Sequence, residues 1–304
     1  MKLATTTGDF ERFLPDHCDR VKAVAAAGFK YVDLSFYNEA KKESVYLQPD
    51  WMDYVKKLKE TADECGVTFV QSHAPDGNPM VKDGNYEILL ESTRRTVEVC
   101  GMLGIPNTVI HTGCTGEMDI EKYCKINLEF FDKLYDVAEK NNVYLLCENT
   151  THANTGKNQF IYTGKDIKMF SEMSGHPLVG GCWDTGHANC EGRQYEHIMD
   201  MGKYFKAIHF NDNRGQRDEH IAPFMGTLCV DEVMNGIIDS GFEGSFTFEC
   251  DSTLRPFKYW LGDRNDYCDK KHLISATLEM QNKLEELLYV IGKGILDSYG
   301  LWEA

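Results

Sequence analysis

Six residues of metal-ligand type close short apolar runs along the 304-residue chain: His73 in FVQSH, His111 in TVIHTG, Glu148 in LLCENT, Asp184 in GCWDTGH, His209 in AIHFND and Glu249 in FTFEC. His187 follows Asp184 by three positions, and Asp218 and His220 sit together in RDEH. Five of the ten histidines thus fall in one pattern, which single capping or core histidines do not explain. Carboxylates gathered at one mouth repel one another unless they are protonated or offset by cations. A divalent metal is the economical answer. Glu148, Asp184, His209 and Glu249 make a set of three carboxylates and one imidazole. Such a set suits Mn²⁺ above all, with Mg²⁺, Co²⁺ or Zn²⁺ also accommodated. His73, His111, Asp218 and His220 are either further metal ligands or substrate contacts, and composition does not choose between these.

These residues converge only if the elements carrying them share one end of a sheet. Short β-like runs are expected at 3–7, 30–34, 67–71, 107–110, 143–147, 178–183, 204–208 and 245–248. Helical periodicity lies between them at 16–27, 51–65, 85–103, 119–140, 164–174, 194–202 and 229–239, and a last helix at about 268–296 closes the chain. Eight strand–helix units predict a (β/α)8 TIM barrel, an α/β fold with a C-terminal helical extension. Residues 1–250 form the catalytic core, and 251–304 complete the same single domain as a loop and a helix. Glycines in AAAGFKYV, DECGVTF, GMLGIPN and DSGFEGS mark the helix ends. An open doubly wound sheet is the competing architecture, but the first strand lacks GxGxxG and no Walker A motif occurs. In a barrel of this kind the C-terminal strand ends are the reactive face.

Forty-eight acidic residues against 32 basic ones give a formal charge of -16, which disfavours a bulk-charge grip on nucleic acid or anionic membrane. Eleven scattered cysteines without a CxxC read as reduced packing residues, and a cytoplasmic location is expected. The N-terminal MKLATTTGDF does not resemble a signal peptide, and no eighteen-residue apolar run is present.

Five stretches carry a family resemblance: LLCENT, WDTGHA at 183–188, IHFNDN at 208–213, DEHIAPFMG at 218–226 and GFEGSFTFE at 241–249. Over about residues 1–250 the chain resembles the xylose-isomerase-like TIM-barrel superfamily, which includes sugar epimerases, inosose-processing enzymes and endonuclease IV-type enzymes. For epimerase-like members the resemblance implies one divalent ion on Glu148, Asp184, His209 and Glu249, with His187 touching substrate. For endonuclease IV it implies a trinuclear zinc site, since all nine ligand types have counterparts in His73, His111, Glu148, Asp184, His187, His209, Asp218, His220 and Glu249. ENTTHANTG and HFNDNRGQRDEH depart from that family's wording, so sugar chemistry is the leading expectation.

The expected reaction is isomerisation or epimerisation of a keto-sugar by proton abstraction alpha to a carbonyl, through an enediolate. Glu148, Glu249 and His187 are the expected catalytic groups. Alternatives are the metal-dependent catalytic subunit of a C-glycoside deglycosidase, which works with a small partner subunit, an endonuclease IV-like phosphodiesterase, and a sugar-binding barrel without turnover. No organic cofactor is expected. Trp183 and Arg217 are expected substrate contacts, with Arg214 as the neighbour of the latter. Phe36, Tyr37, Tyr46 and Trp51 after the second strand, and Phe257, Tyr259 and Trp260 after the eighth, form either a pocket wall or packing surface. The 250–266 stretch is expected to act as a lid or a subunit contact, and a homo-oligomer is expected.

Overall fold

Eight parallel strands run in the order β7-β6-β5-β4-β3-β2-β1-β8 in a computed structural model that describes residues 1–254 and 276–303. The strands are β1 Leu3–Thr6, β2 Tyr31–Ser35, β3 Thr68–His73, β4 Asn107–Ile110, β5 Tyr144–Glu148, β6 Val179–Asp184, β7 Phe205–His209 and β8 Phe246–Phe248. A parallel bridge between Phe210 and Phe248 joins the two ends of the sheet. There the Phe210 amide donates to the Thr247 carbonyl at 2.7 Å and the Glu249 amide to the Phe210 carbonyl at 3.3 Å. The expected barrel is therefore closed, and the open-sheet alternative falls.

Eleven helices accompany the strands among the described residues: α1 His17–Ala26, α2 Trp51–Cys65, α3 Tyr86–Leu103, α4 Ile120–Asp132, α5 Tyr135–Asn141, α6 His152–Thr155, α7 Gly164–Ser174, α8 Thr185–Glu191, α9 Tyr195–Met201, α10 Val230–Asp239 and α11 Leu278–Ser298. Their starts follow from capping chemistry. The Asp16 carboxylate accepts from the Cys18 amide at 2.8 Å, and Thr163 and Asp166 form a reciprocal capping box at α7. Gly66 ends α2 at φ 69°, a left-handed conformation that releases the chain directly into β3.

One expected helix divides. The 119–140 pattern breaks between α4 and α5, where the Lys133 amide turns back to the Phe130 carbonyl and Leu134 buries its side chain. The freed Lys133 carbonyl accepts from Arg94 of α3, whose guanidinium also grips Asp136 at 2.7 Å through both nitrogens. A tertiary partner for a main-chain carbonyl outweighs helix continuity at that point.

The strands alternate faces, with a period of two. Val109, Leu146, Cys182 and Ala207 pack with one another as a small cluster filling the barrel interior. Ile110, Leu145, Cys147, Trp183 and Ile208 belong instead to the large core between barrel wall and helices. The C-terminal helix α11 joins that outer core through Leu288 and Ile295. The start of the expected 268–296 helix, the expected pocket aromatics Phe257, Tyr259 and Trp260, and most of the expected 250–266 lid lie outside the described residues. No helix among the described residues is long and apolar enough to cross a membrane, and the ten described cysteines are free thiols.

Candidate metal centre

The interior cluster points to the site. Two residues beyond Val109, Leu146, Cys182 and Ala207 stand His111, Glu148, Asp184 and His209, on the same inward face one pleat higher. His73 ends β3 and Glu249 follows β8 directly. The ligand-type residues therefore crown the C-terminal mouth of the barrel because their strand parity is that of the interior column.

Glu148, Asp184, His209 and Glu249 bring one ligand atom each to within 4.8 Å of all the others. His209 Nδ1 lies 2.5 Å from Glu148 Oε1 and 3.3 Å from Glu249 Oε2. Its Nε2 faces Asp33 Oδ2 at 3.9 Å. Asp184 is clamped from three sides. Its amide donates to Asn149 Oδ1 at 2.7 Å, its Oδ1 accepts from the His187 amide at 2.6 Å, and its Oδ2 accepts from Asn211 Nδ2 at 2.6 Å. Gly186 makes the Asn211 contact possible, because a Cβ there would stand 1.8 Å from Asn211 Oδ1.

Two further groups flank this set. His73 and His111 meet through their Nε2 atoms at 3.1 Å, and His111 Nε2 reaches Glu148 Oε2 at 3.1 Å. Their outer nitrogens are anchored: His73 Nδ1 donates to the Ala74 carbonyl at 2.7 Å, and His111 Nδ1 meets Asp76 Oδ1 at 3.0 Å. On the other side Asp218 sits between His187 Nε2 at 3.0 Å and His220 Nε2 at 2.9 Å. His187 Nδ1 donates to the Asn149 carbonyl at 2.8 Å, and Asn154 Nδ2 donates to Asp218 Oδ2 at 2.8 Å. One ring nitrogen on a carbonyl or carboxylate and the other turned inward is the usual setting of a metal-binding imidazole.

Burial works against every charge here, and opposite charges overcome it at most positions. Burial raises the Glu148 carboxyl, yet His209 and His111 hold it well below the usual range. Burial wins at Glu249, pushed up to about 7 with help from Glu148 and Asp184. Burial lowers each histidine, but neighbouring carboxylates lift His209 and His220 well above the usual imidazole value, His187 to about 9 and His111 to about 10. His73 drops to about 4 because burial and the adjacent His111 act together. Protons on imidazoles thus offset the carboxylates. A divalent cation can replace those protons, which is how three carboxylates and one imidazole fit such an ion.

A cavity of about 640 Å³ opens above the ligands. His73, His111, Glu148, His187, Asp218, His220 and Glu249 all line it. Two expected substrate contacts do not. Trp183 is 0% exposed and gives its indole N–H to Gln194 Oε1 at 3.1 Å. It precedes the inward Asp184, so strand alternation turns it outward into the helix core. Arg217 is exposed and outside the cavity lining, as is Arg214, whose guanidinium pairs with Glu219. Phe36, Tyr46 and Trp51 are buried core, leaving Tyr37 as the cavity aromatic of that group. Sequence reading missed Phe160, Arg12 and Asp76 of the lining, together with Asp33, Asn149 and Asn211 behind the ligands. A carboxylate in the middle of the apolar run YVDLS was the available signal for Asp33.

A family model described as xylose isomerase-like TIM barrel matches residues 21–269. An uncharacterized protein of Sinorhizobium fredii, y4fM, is 26% identical over 196 residues, which cover 62% of this chain and 60% of that protein. A probable endonuclease 4 of Cenarchaeum symbiosum is 31% identical over 142 residues, covering 46% of this chain and 48% of that protein. The chain thus spans less than two thirds of the length of either of these relatives. In fold it is similar to a D-psicose 3-epimerase from Clostridium cellulolyticum H10 solved with D-tagatose, at 18% identity and a TM-score of 0.74, covering 97% of this chain and 99% of that one.

Proposed function

The chain belongs to the xylose isomerase-like TIM-barrel family, and from that premise we propose that it is a divalent-metal-dependent isomerase or epimerase of a small keto-sugar. The observation that carries this reading is the placement of Glu148 and Glu249 on one imidazole, 2.5 Å and 3.3 Å from His209 Nδ1, at the floor of the cavity. A divalent ion held by Glu148, Asp184, His209 and Glu249, Mn²⁺ by preference, supplies the Lewis acidity that polarises a substrate carbonyl and acidifies the neighbouring C–H.

Glu148 and Glu249 enter from β5 and β8, which lie apart in the closed sheet. One takes the proton as general base. The other returns it to the opposite face of a cis-enediolate, which inverts the centre. Return to the adjacent carbon interconverts aldose and ketose instead. His187 is held by the Asn149 carbonyl at Nδ1 and offers its Nε2 side to the cavity, where it stabilises the developing oxyanion. The shared fold with an epimerase solved with D-tagatose supports a substrate of that class.

The test is incubation of the Mn²⁺-loaded protein in D₂O with unphosphorylated and phosphorylated ketoses. Deuterium is expected alpha to the carbonyl of at least one ketose. Absence of exchange across the panel removes the reading.

A second reading has its own observation. The His73–His111–Glu148 and Asp184–His187–His220 groups flank the central set and share ligands with it. Such an arrangement can hold more than one ion and act on a phosphodiester, in line with the relative named as a probable endonuclease 4. Cleavage of an abasic-site duplex by the Zn²⁺-loaded protein, without deuterium exchange into sugars, would decide for it.

A further inference from the structure

A second buried acidic cluster lies outside the barrel mouth, between β1 and the C-terminal helix α11. Asp9 sits on the 3-10 turn Thr7–Phe10 that follows β1, and it is 1% exposed. Neither of its carboxylate oxygens accepts a hydrogen bond among the described residues. Glu285 of α11 is equally buried, within hydrogen-bonding reach of Asp9. Thr5 Oγ1 donates to Glu285 Oε1 at 2.6 Å, and Gln281 Nε2 reaches Oε2 at 3.4 Å. That contact holds the Gln281 amide head at the cluster, and its Oε1 is also buried and without a donor.

Two carboxylates and an amide oxygen therefore converge with three unpartnered acceptor atoms. The wider surroundings repel negative charge further. Glu285, Asp251 and Glu249 all oppose ionisation of Asp9, and His220 alone among its charged neighbours favours it. A proton shared between the carboxyls pairs one oxygen of each and leaves Gln281 Oε1 and the second Asp9 oxygen unpaired. A cation takes all of them.

We infer that Asp9, Glu285 and Gln281, with the Thr5 hydroxyl, bind one hard divalent cation, Ca²⁺ by ligand chemistry, at a site separate from the candidate metal centre. The donors are all oxygen, and two carboxylates balance a double charge. Mg²⁺ keeps several of its waters, which suits so enclosed a place poorly. The ion staples α11 to β1 and braces the turn that leads into Glu11 and Arg12 of the cavity wall.

The test uses the full chain, stripped by chelator, with ⁴⁵Ca²⁺ dialysis and thermal melting. Four proteins are compared: wild type, Asp184→Asn to disable the candidate metal centre, Asp9→Asn and Glu285→Gln. Wild type and Asp184→Asn are expected to retain a calcium ion that Asp9→Asn and Glu285→Gln lose. Calcium at a hundredfold its Kd is expected to raise the Tm of Asp184→Asn by about 5 °C. The two amide variants are expected to show no such rise. Should Asp9→Asn fail to fold, Glu285→Gln and Gln281→Leu carry the same comparison. Retention lost in Asp184→Asn but kept in Asp9→Asn overturns the inference. So does a wild-type Tm that ignores calcium and falls as pH rises from 6 to 8, which is the behaviour of a shared proton.

Discussion

Glu148 Oε1 lies 2.5 Å from His209 Nδ1, although the residues stand 61 positions apart and on strands separated by β6. The contact exists because both side chains cap inward columns of the barrel, Leu146 below one and Ala207 below the other. It ties a general-base candidate to a metal-ligand candidate, so removal of either charge disturbs both roles.

Glu148→Gln keeps the shape of the side chain and removes its charge. Bound Mn²⁺ and alpha-deuterium exchange are both expected to be lost, with turnover falling at least about 10³-fold, as for removal of a group serving in proton transfer. Metal analysis and exchange kinetics on the same preparation check this. Wild-type turnover with metal still bound would refute the assignment.

Asn211 holds Asp184 Oδ2 at 2.6 Å without facing the ligands' centre itself. Asn211→Ala is expected to weaken metal affinity about 10- to 100-fold, the usual effect of losing a group that orients a ligand. Competition against a metallochromic chelator measures it. An unchanged Kd removes the orienting role.

Metal and protons compete for the same atoms. His209 is held above the usual imidazole value by Glu249 and Glu148, and Glu249 is raised to about 7 by burial, so both give up protons when a cation binds. Affinity for Mn²⁺ is expected to rise between pH 6 and pH 8. Calorimetry in buffers of different ionisation enthalpy should record net proton release. The metal-free protein has its own signature. His187 at about 9 and His111 at about 10 lie above the unfolded imidazole near 6.5. Their stabilisation is complete below that value and is lost as pH rises through 9 to 10. Its melting temperature is therefore expected to fall from pH 7 to pH 10, and metal should flatten that slope.

His187 separates the two functional readings. In the sugar reading His187→Gln lowers kcat and leaves the ion of the central set in place. In the phosphodiesterase reading it lowers metal content, because His187 shares a ligand group with Asp184 and His220. Metal stoichiometry alongside kcat decides.

Trp183 is a packing residue with a hydrogen bond, not a wall of the cavity. Trp183→Phe is expected to cost about 1–3 kcal/mol of stability through lost volume and the orphaned Gln194 acceptor. KM is expected to stay within twofold. Denaturant unfolding and steady-state kinetics test the two halves separately, and a large rise in KM at unchanged stability would restore Trp183 to the site.

Much of this was legible in the chain itself. Ligand-type residues at the ends of successive apolar runs identified the barrel mouth, because a strand's last inward residue must face the axis. The same alternation, applied to the residue before Asp184, places Trp183 outside, so that misreading had a remedy within the sequence. The break at Lys133 and Leu134 had none. It depends on Arg94, about forty positions earlier, finding a carbonyl to grip.

The order of elements and the residue types at the strand ends were determined by the sequence alone, through local periodicity and the geometry of alternating side chains. Which atoms meet was decided by the tertiary structure. Closure of β7 onto β8 through Phe210 brings Glu249 to His209, and docking of α11 on β1 buries Glu285 beside Asp9. Both are long-range packing events. The physical reason is that burial and electrostatics act on distances in space, and separation along the chain does not encode those distances.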